Sequence, residues 1–523
     1  MPYVVTQSCC SDASCVYACP VNCIHPTPDE PDFLSAEMLY VDPQACVDCG
    51  ACATACPVDA IVSTKRLAPE QQPFIEINAD FYRQVRPRPL LARPIPAARV
   101  ERGPLRVAIV GSGPSAMYAA DELLTQPDVA VTVLDRLPVP YGLARYGVAP
   151  DHVRTRQVSR LFDVISAQPG FVSYLNVTVG EDISHEDLLR HHHAVIYAVG
   201  ASADRKLGIP GEGLPGSGSA TDFVAWYTGH PDQAEQVFDL SQRRAVIVGN
   251  GNVALDVARI LTADPESLRG TDISPMALES LRHSKIEEVV ILARRGPAES
   301  AFTVPEFVGL LGSDVDIVVE GDVPQPAAGM PQQIEHKLRL LRDLADRPVR
   351  GRRRIVLRYL LTPTELPGTD RVTGIHLAHN ELTTDPEGVV RSVPTGSTET
   401  LDAGLVLTSV GYRGVPLPGL PFDGAAGVIP NTAGRVLCEG EPLRGAYVTG
   451  WIKRGPTGFI GTNKSCAQET VRLLVDDFNS GRLPEPAGGP ADFDALVTDR
   501  RPAAIRGGAP ARSGRKRRLL TRA

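Results

Sequence analysis

What this sequence lacks narrows the field first. Its longest apolar stretches, such as Val107–Val110 and Val289–Ala293, are strand-sized, far short of the roughly 20 residues that span a bilayer. The opening Met1-Pro2-Tyr3-Val4-Val5 has neither a basic leader nor an apolar signal core. No membrane span is therefore expected, and a cytoplasmic location follows as the default. Cysteine is almost missing beyond residue 56, where only Cys438 and Cys466 occur. No Cys-x-x-Cys or Cys-x-x-x-x-Cys lies in that region, which argues against a thiol–disulfide centre, and both residues read as packing. The 22% charged and 43% hydrophobic residues are ordinary for a globular protein, and 523 residues exceed one core. About three or four domains are expected.

What is present is unevenly distributed. Nine of the 11 cysteines fall within the first 56 residues; without an export signal, such density favours metal over disulfides. Residues 1–80 carry 11 acidic and 2 basic side chains, net −9, and residues 81–103 carry 6 Arg and 1 Glu, net +5. An acidic domain on a basic, Pro-rich tether (Pro87, Pro89, Pro94, Pro96) fits an electron carrier held beside its partner.

Cys46-x-x-Cys49-x-x-Cys52-x-x-x-Cys56-Pro57 is the sharpest motif. Three thiolates at this spacing wrap one cubane cluster, and the fourth reaches a second. The earlier run Cys9/Cys10…Cys15-x-x-x-Cys19-Pro20 keeps the Cys-Pro end but lacks the paired x-x spacings. By reciprocity Cys19 joins Cys46, Cys49 and Cys52 in a 4Fe–4S centre. Cys56 joins Cys9 and Cys15, a set of three that suits 3Fe–4S. Zinc modules pair two Cys-x-x-Cys knuckles across a longer spacer and fit less well. Residues 1 to about 65 resemble the seven-iron bacterial ferredoxins. Against that family the gap before Cys15 is two residues short, so Cys10 is an alternative to Cys9 or a donor to a fourth iron (a second 4Fe–4S), and Cys23 matches an extra non-ligating cysteine.

Two strand–glycine–helix openings follow. Leu105–Val110 leads into Gly111-Ser112-Gly113-Pro114-Ser115-Ala116, and Arg244–Val248 into Gly249-Asn250-Gly251-Asn252-Val253-Ala254. Each is a context for a pyrophosphate on a helix N-terminus. Asp135 ends the strand after the first and suits a ribose hydroxyl, as FAD or NAD(H) requires. Arg294-Arg295 ends the strand Glu288–Ala293 after the second, where guanidiniums favour the 2′-phosphate of NADPH. An insertion over Asp264–Ser284 lengthens that second unit.

Gly111–Ala120, Pro140–His152, Gly249–Arg259, Arg294–Pro297 and Gly450–Lys464 together resemble the adrenodoxin-type ferredoxin–NADP reductases. The likeness runs from about residue 105 to about 490, and with the cysteine segment it is similar to a mycobacterial-type fusion of ferredoxin and reductase. The resemblance implies a multidomain fold: a small α+β ferredoxin domain, then an α/β flavoprotein with two Rossmann-like domains, the NADP domain inserted in the FAD domain. The expected boundaries are 1–80, linker 81–103, FAD 104–203, NADP 204–407, FAD 408–490 and a disordered basic tail 491–523. It also implies that Leu143, Val179, Trp451, Gly458, Phe459 and Ile460 contact flavin, with Gly458 also meeting the nicotinamide. Asn250–Val253, Arg294, Arg295 and Glu306 would bind NADP, with His152 beside Glu306 as the catalytic pair.

The expected activity is electron transfer between NADPH, FAD and iron–sulfur clusters, to or from ferredoxin as its own domain or a separate partner. The terminal acceptor is unknown, and no nucleic acid is expected. A flavin is needed because NADPH gives two electrons together and a cluster takes one. A glutamate-synthase small-subunit-like input module and a non-catalytic redox sensor are the alternatives. His191-His192-His193 reads as a surface turn.

Overall fold

In the computed structural model the described residues are 2–508, apart from 84–88, 90, 94, 95, 97, 328, 346, 348 and 352. They form two compact units. One comprises residues 1–93, 146–156 and 204–412; the other comprises 94–145, 157–203 and 413 onward. Residues 84–88, 90, 94, 95 and 97 of the expected 81–103 linker, and the tail beyond 508, lie outside the described residues.

The first unit begins with the cysteine-rich segment. Strand Tyr3–Val5 pairs antiparallel with Ile61–Ser63, and Ile24–His25 with Tyr40–Val41. Asn78, buried on helix Pro73–Asp80, ties these layers together: its Oδ1 accepts the N–H groups of Val5 at 3.1 Å and Val41 at 2.9 Å. The segment is an internal repeat. Helices Ser14–Ala18 and Ala51–Ala55 correspond, and left-handed residues recur in step: Ser11 (φ 59°) with Asp48 (φ 56°), Ala13 (φ 60°) with Gly50 (φ 78°), Asn22 (φ 47°) with Asp59 (φ 50°). In that register Cys9, Cys15 and Cys19 fall on Cys46, Cys52 and Cys56.

The same unit holds a six-stranded parallel sheet in the order Ser217–Ser219, Leu405–Thr408, Arg244–Val248, Glu288–Leu292, Arg354–Arg358, Asp316–Glu320. Its strands read as nearly unbroken Val/Ile/Leu because helices cover a parallel sheet on both faces. The insertion folds as helices Pro265–Leu268 and Pro275–Arg282. Leu268, Ala277, Leu278 and Leu281 join the core that Leu255, Ile260 and Leu261 supply from helix Asn252–Thr262.

The cysteine-rich segment packs onto this sheet domain. Val304 and Val308 of helix Val304–Leu311 share a buried cluster with Phe74 and Ile77. Asp80 meets His336 at 2.7 Å. The acidic domain that the charge pattern set beside a partner meets this sheet domain through a partly apolar interface with buried ion pairs, where Val304 and Val308 give it somewhere dry to sit.

The second unit has an eight-stranded sheet ordered Asn431–Thr432, Arg435–Cys438, Glu441–Val448, Ala194–Tyr197, Leu105–Val110, Val129–Asp135, Phe171–Leu175, Ile505–Gly507. The five strands from Glu441–Val448 to Phe171–Leu175 are parallel. Two expectations change here. Residues expected in a disordered tail form helix Pro490–Arg500 and the strand Ile505–Gly507, antiparallel to Phe171–Leu175. Phe493 and Val497, one helical turn apart, are buried; Asp492, Asp494 and Asp499 around them masked that short apolar stripe. The His191–His193 run is also buried, not a surface turn. His192 Nε2 meets Thr132 Oγ1 at 3.0 Å, and His193 Nδ1 accepts the Arg106 N–H at 3.0 Å. No helix among the described residues is long and apolar enough to cross a membrane.

Candidate redox and nucleotide sites

The cysteines separate into two groups. Cys19, Cys46, Cys49 and Cys52, with Cys23, line one small cavity with Tyr3 and Gly50. Cys9, Cys10, Cys15 and Cys56 are close enough for their charges to act on one another. Burial, the largest influence, pushes the Cys9 thiol up to about 11 and raises Cys15 and Cys56 as well. Cys19 is pulled down, first by the Cys23 thiol 3.4 Å away and then by backbone N–H groups. Buried thiols of this kind ionise when a cation arrives. The repeat extends to backbone donors: Cys23 N–H reaches Cys19 Sγ at 3.4 Å and Ala60 N–H reaches Cys56 Sγ at 3.3 Å. The donor set fits two iron–sulfur clusters. Asp12, which sequence reasoning did not single out, is buried among the first group at 6% exposed, close enough for its charge to raise Cys9, Cys10, Cys15 and Cys56.

In the second unit, Gly111 (φ 101°) turns the chain out of strand Leu105–Val110; a Cβ there would lie 2.6 Å from Ala198 O. Gly113 precedes helix Pro114–Leu124, and a Cβ on it would point into open space. Ser115 Oγ donates to Asn463 Oδ1 at 2.9 Å, which also accepts from Arg454 Nη2 at 3.0 Å. Ala116 is fully buried. Asp135 holds the glycine loop, accepting Ser112 N–H at 2.8 Å and Ser112 Oγ–H at 2.5 Å, with Leu137 N–H on its other oxygen. Trp451 donates Nε1–H to Thr457 O at 3.1 Å. Phe459 N–H donates to Thr462 Oγ1 at 2.9 Å, and Gly458 (φ 82°) has no room for a Cβ against that hydroxyl. Ile460 is half-buried. Leu143 is 36% exposed at the start of helix Leu143–Tyr146, and Val179 bridges Ile183. The glycine turn, open helix end and unpartnered buried Arg454 Nη1 fit a dinucleotide.

The second glycine loop sits in the first unit. Gly249 (φ 109°) leaves 2.2 Å between a Cβ and Ser409 O, while Gly251, before helix Asn252–Thr262, faces open space. Asn252 pairs with Thr303, accepting its N–H at 2.8 Å. Asn250 Oδ1 accepts Ala301 N–H, and its buried Nδ2 has no partner. Val253 is half-buried at the start of the helix. Parallel pairing puts Leu292 beside Val248, so Arg294 and Arg295 follow at the same sheet end as the loop. Among the described residues neither guanidinium has an ion-pair partner. Open loop, orphaned amide and free guanidiniums fit NADP(H).

His152 and Glu306 meet at 3.2 Å, in a larger network than the sequence reading held. Asp256 Oδ1 lies 2.9 Å from His152 Nε2, and Arg259 bridges Asp256, Asp151 and Glu306. Asp256 and Arg259 are three apart on one helix, a spacing visible in the sequence. Burial disfavours the charged imidazole, and Arg259 Nη2 at 2.5 Å opposes it too, but Glu306 and Asp256 outweigh both and push His152 up to about 10. Burial also disfavours the Glu306 carboxylate, yet His152 and Arg259 bring it down to about 2.

A ferredoxin-type cysteine segment and two dinucleotide loops on separate parallel sheets define a multi-centre redox protein of the flavin- and pyridine-nucleotide-dependent class. The signature of the 4Fe-4S binding domain matches residues 39–62, and that of pyridine nucleotide-disulphide oxidoreductases matches residues 105–296. A "Probable ferredoxin/ferredoxin–NADP reductase" of Mycobacterium tuberculosis is 56% identical over 97% of this chain and 89% of its own length. Its Mycobacterium leprae counterpart is 54% identical over 96% and 91%. The solved Mycobacterium tuberculosis FprA in complex with NADPH superposes with a TM-score of 0.73 at 47% identity, covering 77% of this chain and 92% of that one. The chain belongs to the ferredoxin/ferredoxin–NADP reductase family.

Proposed function

We propose that this chain is a ferredoxin–NADP(+) reductase carrying its own ferredoxin domain, passing electrons between NADPH, FAD and iron–sulfur clusters. The observation that carries the reading is the coexistence of two cysteine sets with two glycine loops of opposite second-strand chemistry, Asp135 at one and Arg294-Arg295 at the other. Bound flavin supplies the exchange between hydride and single electrons. The protein's part is positional. Gly111, Gly113 and Ser115 receive the flavin pyrophosphate on helix Pro114–Leu124, with Ala116 keeping the helix close to the sheet; Asp135 fixes the loop and faces the ribose. Leu143, Val179, Trp451, Gly458, Phe459 and Ile460 line the flavin.

Asn250, Gly251, Asn252 and Val253 take the NADP pyrophosphate, and Arg294 and Arg295 take the 2′-phosphate. His152 and Glu306 hold a fixed charge pair beside that loop, which orients the nicotinamide end and keeps a proton on His152 Nε2 at neutral pH. Cys19, Cys46, Cys49 and Cys52 ligate one cluster; Cys9, Cys15 and Cys56 ligate the other. The protein acts in the cytoplasm. Anaerobic NADPH should bleach the flavin spectrum and reduce the clusters of the purified chain. An intact flavin that NADPH leaves oxidised would refute the reading.

A further inference from the structure

Residues 300–304 bond both to the second glycine loop and to the cysteine-rich segment. Toward the loop, Ala301 N–H donates to Asn250 Oδ1 at 3.3 Å and Thr303 N–H to Asn252 Oδ1 at 2.8 Å. Asn252 Nδ2 donates back to Thr303 Oγ1 at 3.2 Å. These bonds fix which way each amide is turned. With its Oδ1 taken, Asn250 keeps Nδ2, buried and without a partner among the described residues, as the end left for a ligand. Toward the cysteine-rich segment, Val304 N–H donates to Glu37 Oε2 at 2.7 Å. Lys337 Nζ donates to Ser300 O at 3.2 Å and meets Glu37 Oε1 at 2.9 Å. Glu37 therefore grips one end of the strip directly and the other through Lys337. Both ionic side chains are about 10% exposed, so salt screens their attraction little. The approach is close along the same helix: a Cβ on Gly312 would meet Glu70 Cβ at 3.0 Å.

We infer that Glu37, acting through Lys337 and residues 300–304, is a positioning residue for the NADP(H) loop, so that the coenzyme site is complete only while the cysteine-rich segment is docked. The inference rests on the reading of Asn250–Val253 as the coenzyme site. Releasing Glu37 frees both ends of the strip, and the Asn250 and Asn252 amides lose the N–H groups that orient them. The grip that weakens is the one on the pyrophosphate, which NADP(H) and NAD(H) share. Arg294 and Arg295 are untouched. The coupling is reciprocal: whatever factor docking adds to coenzyme affinity, bound coenzyme returns to docking.

The test uses the full-length chain with its flavin and clusters, titrated calorimetrically with NADP+ and with NAD+, neither of which reduces the flavin. Glu37→Ala should raise both dissociation constants by a common factor, about fivefold or more. In the wild type, saturating NADP+ should slow amide exchange in residues 36–41, which lie outside the coenzyme loop, and Glu37→Ala should abolish that slowing. Glu76→Ala is the control: it removes an exposed pair of the same interface, 3.4 Å from Arg339, and should leave both affinities and the slowing as they were. A wild type that does not bind NADP+ would refute the coenzyme reading itself. Wild-type binding with an unchanged affinity in Glu37→Ala, or a loss confined to NADP+, overturns the inference, as does exchange in residues 36–41 that NADP+ leaves unaltered. If Glu37→Ala loses its flavin or clusters, the double variant Glu37→Gln with Lys337→Met, which removes both charges and strands neither, decides by the same titrations.

Discussion

Lys337 Nζ closes on Glu37 Oε1 at 2.9 Å, and Glu37 Oε2 accepts the Val304 N–H at 2.7 Å. One carboxylate of the iron–sulfur segment thereby clamps the start of the helix that carries Glu306 and the helix Gln332–Ala345 that carries Lys337. Both ionic side chains are about 10% exposed. Glu37→Ala would strand a buried ammonium, at a cost of about 3–5 kcal/mol. The iron–sulfur domain should then open locally, with faster amide exchange in residues 304–311. Because the pair is buried, raising salt on the wild type should leave that protection almost unchanged.

The coenzyme site gives a second expectation. Arg294→Ala with Arg295→Ala should weaken NADPH binding by about 1.5–3 kcal/mol per lost charge-assisted contact, and NADH binding much less. Titration calorimetry with both coenzymes checks this. Equal losses would remove the 2′-phosphate from the role of these arginines.

The Gly249 turn is a third. At φ 109°, with 2.2 Å to Ser409 O, Gly249→Ala must distort the loop at a cost of about 1–3 kcal/mol. NADP(H) affinity should fall while flavin content stays, because Gly111 lies on the other sheet. Unchanged coenzyme affinity would show that the loop does not hold the pyrophosphate.

His152 sets a pH window. Its folded value of about 10 lies above the ordinary 6.5, so its stabilisation is complete below about 6.5 and is lost as pH rises through about 10. Glu306 has the opposite sign: its value drops to about 2 from 4.5, so its contribution is present above about 4.5 and disappears as pH falls through about 2. Denaturant unfolding between pH 6.5 and 10 should show a decline that His152→Ala flattens. An identical slope in the variant would exclude His152 as its source.

Much of this was legible in the chain itself. Apolar strands ending in Gly111 and Gly249 announce their sheets because parallel strands are buried on both faces. The spacing of the cysteine runs also separates the thiols into two groups, and Cys19 does lie with Cys46, Cys49 and Cys52 around one cavity. What stayed hidden depends on distant partners. Asp12 reads as one more acidic residue until the fold buries it among the first group of thiols. The His191–His193 run looks polar, yet His191 and His192 bury their rings on Phe493, and the last strand needs Phe171–Leu175 to pair with. The docking of the iron–sulfur domain rests on Glu37, Lys337 and Val304, which no local pattern connects.

The central claim is that electrons from NADPH reach the clusters of the same chain. Anaerobic stopped-flow mixing with saturating NADPH, following flavin bleaching and cluster reduction across a range of protein concentrations, tests it most directly. Cluster reduction should follow flavin bleaching at a rate independent of protein concentration. A rate that climbs in proportion to concentration would mean that each ferredoxin domain is served by another molecule, and would contradict the account.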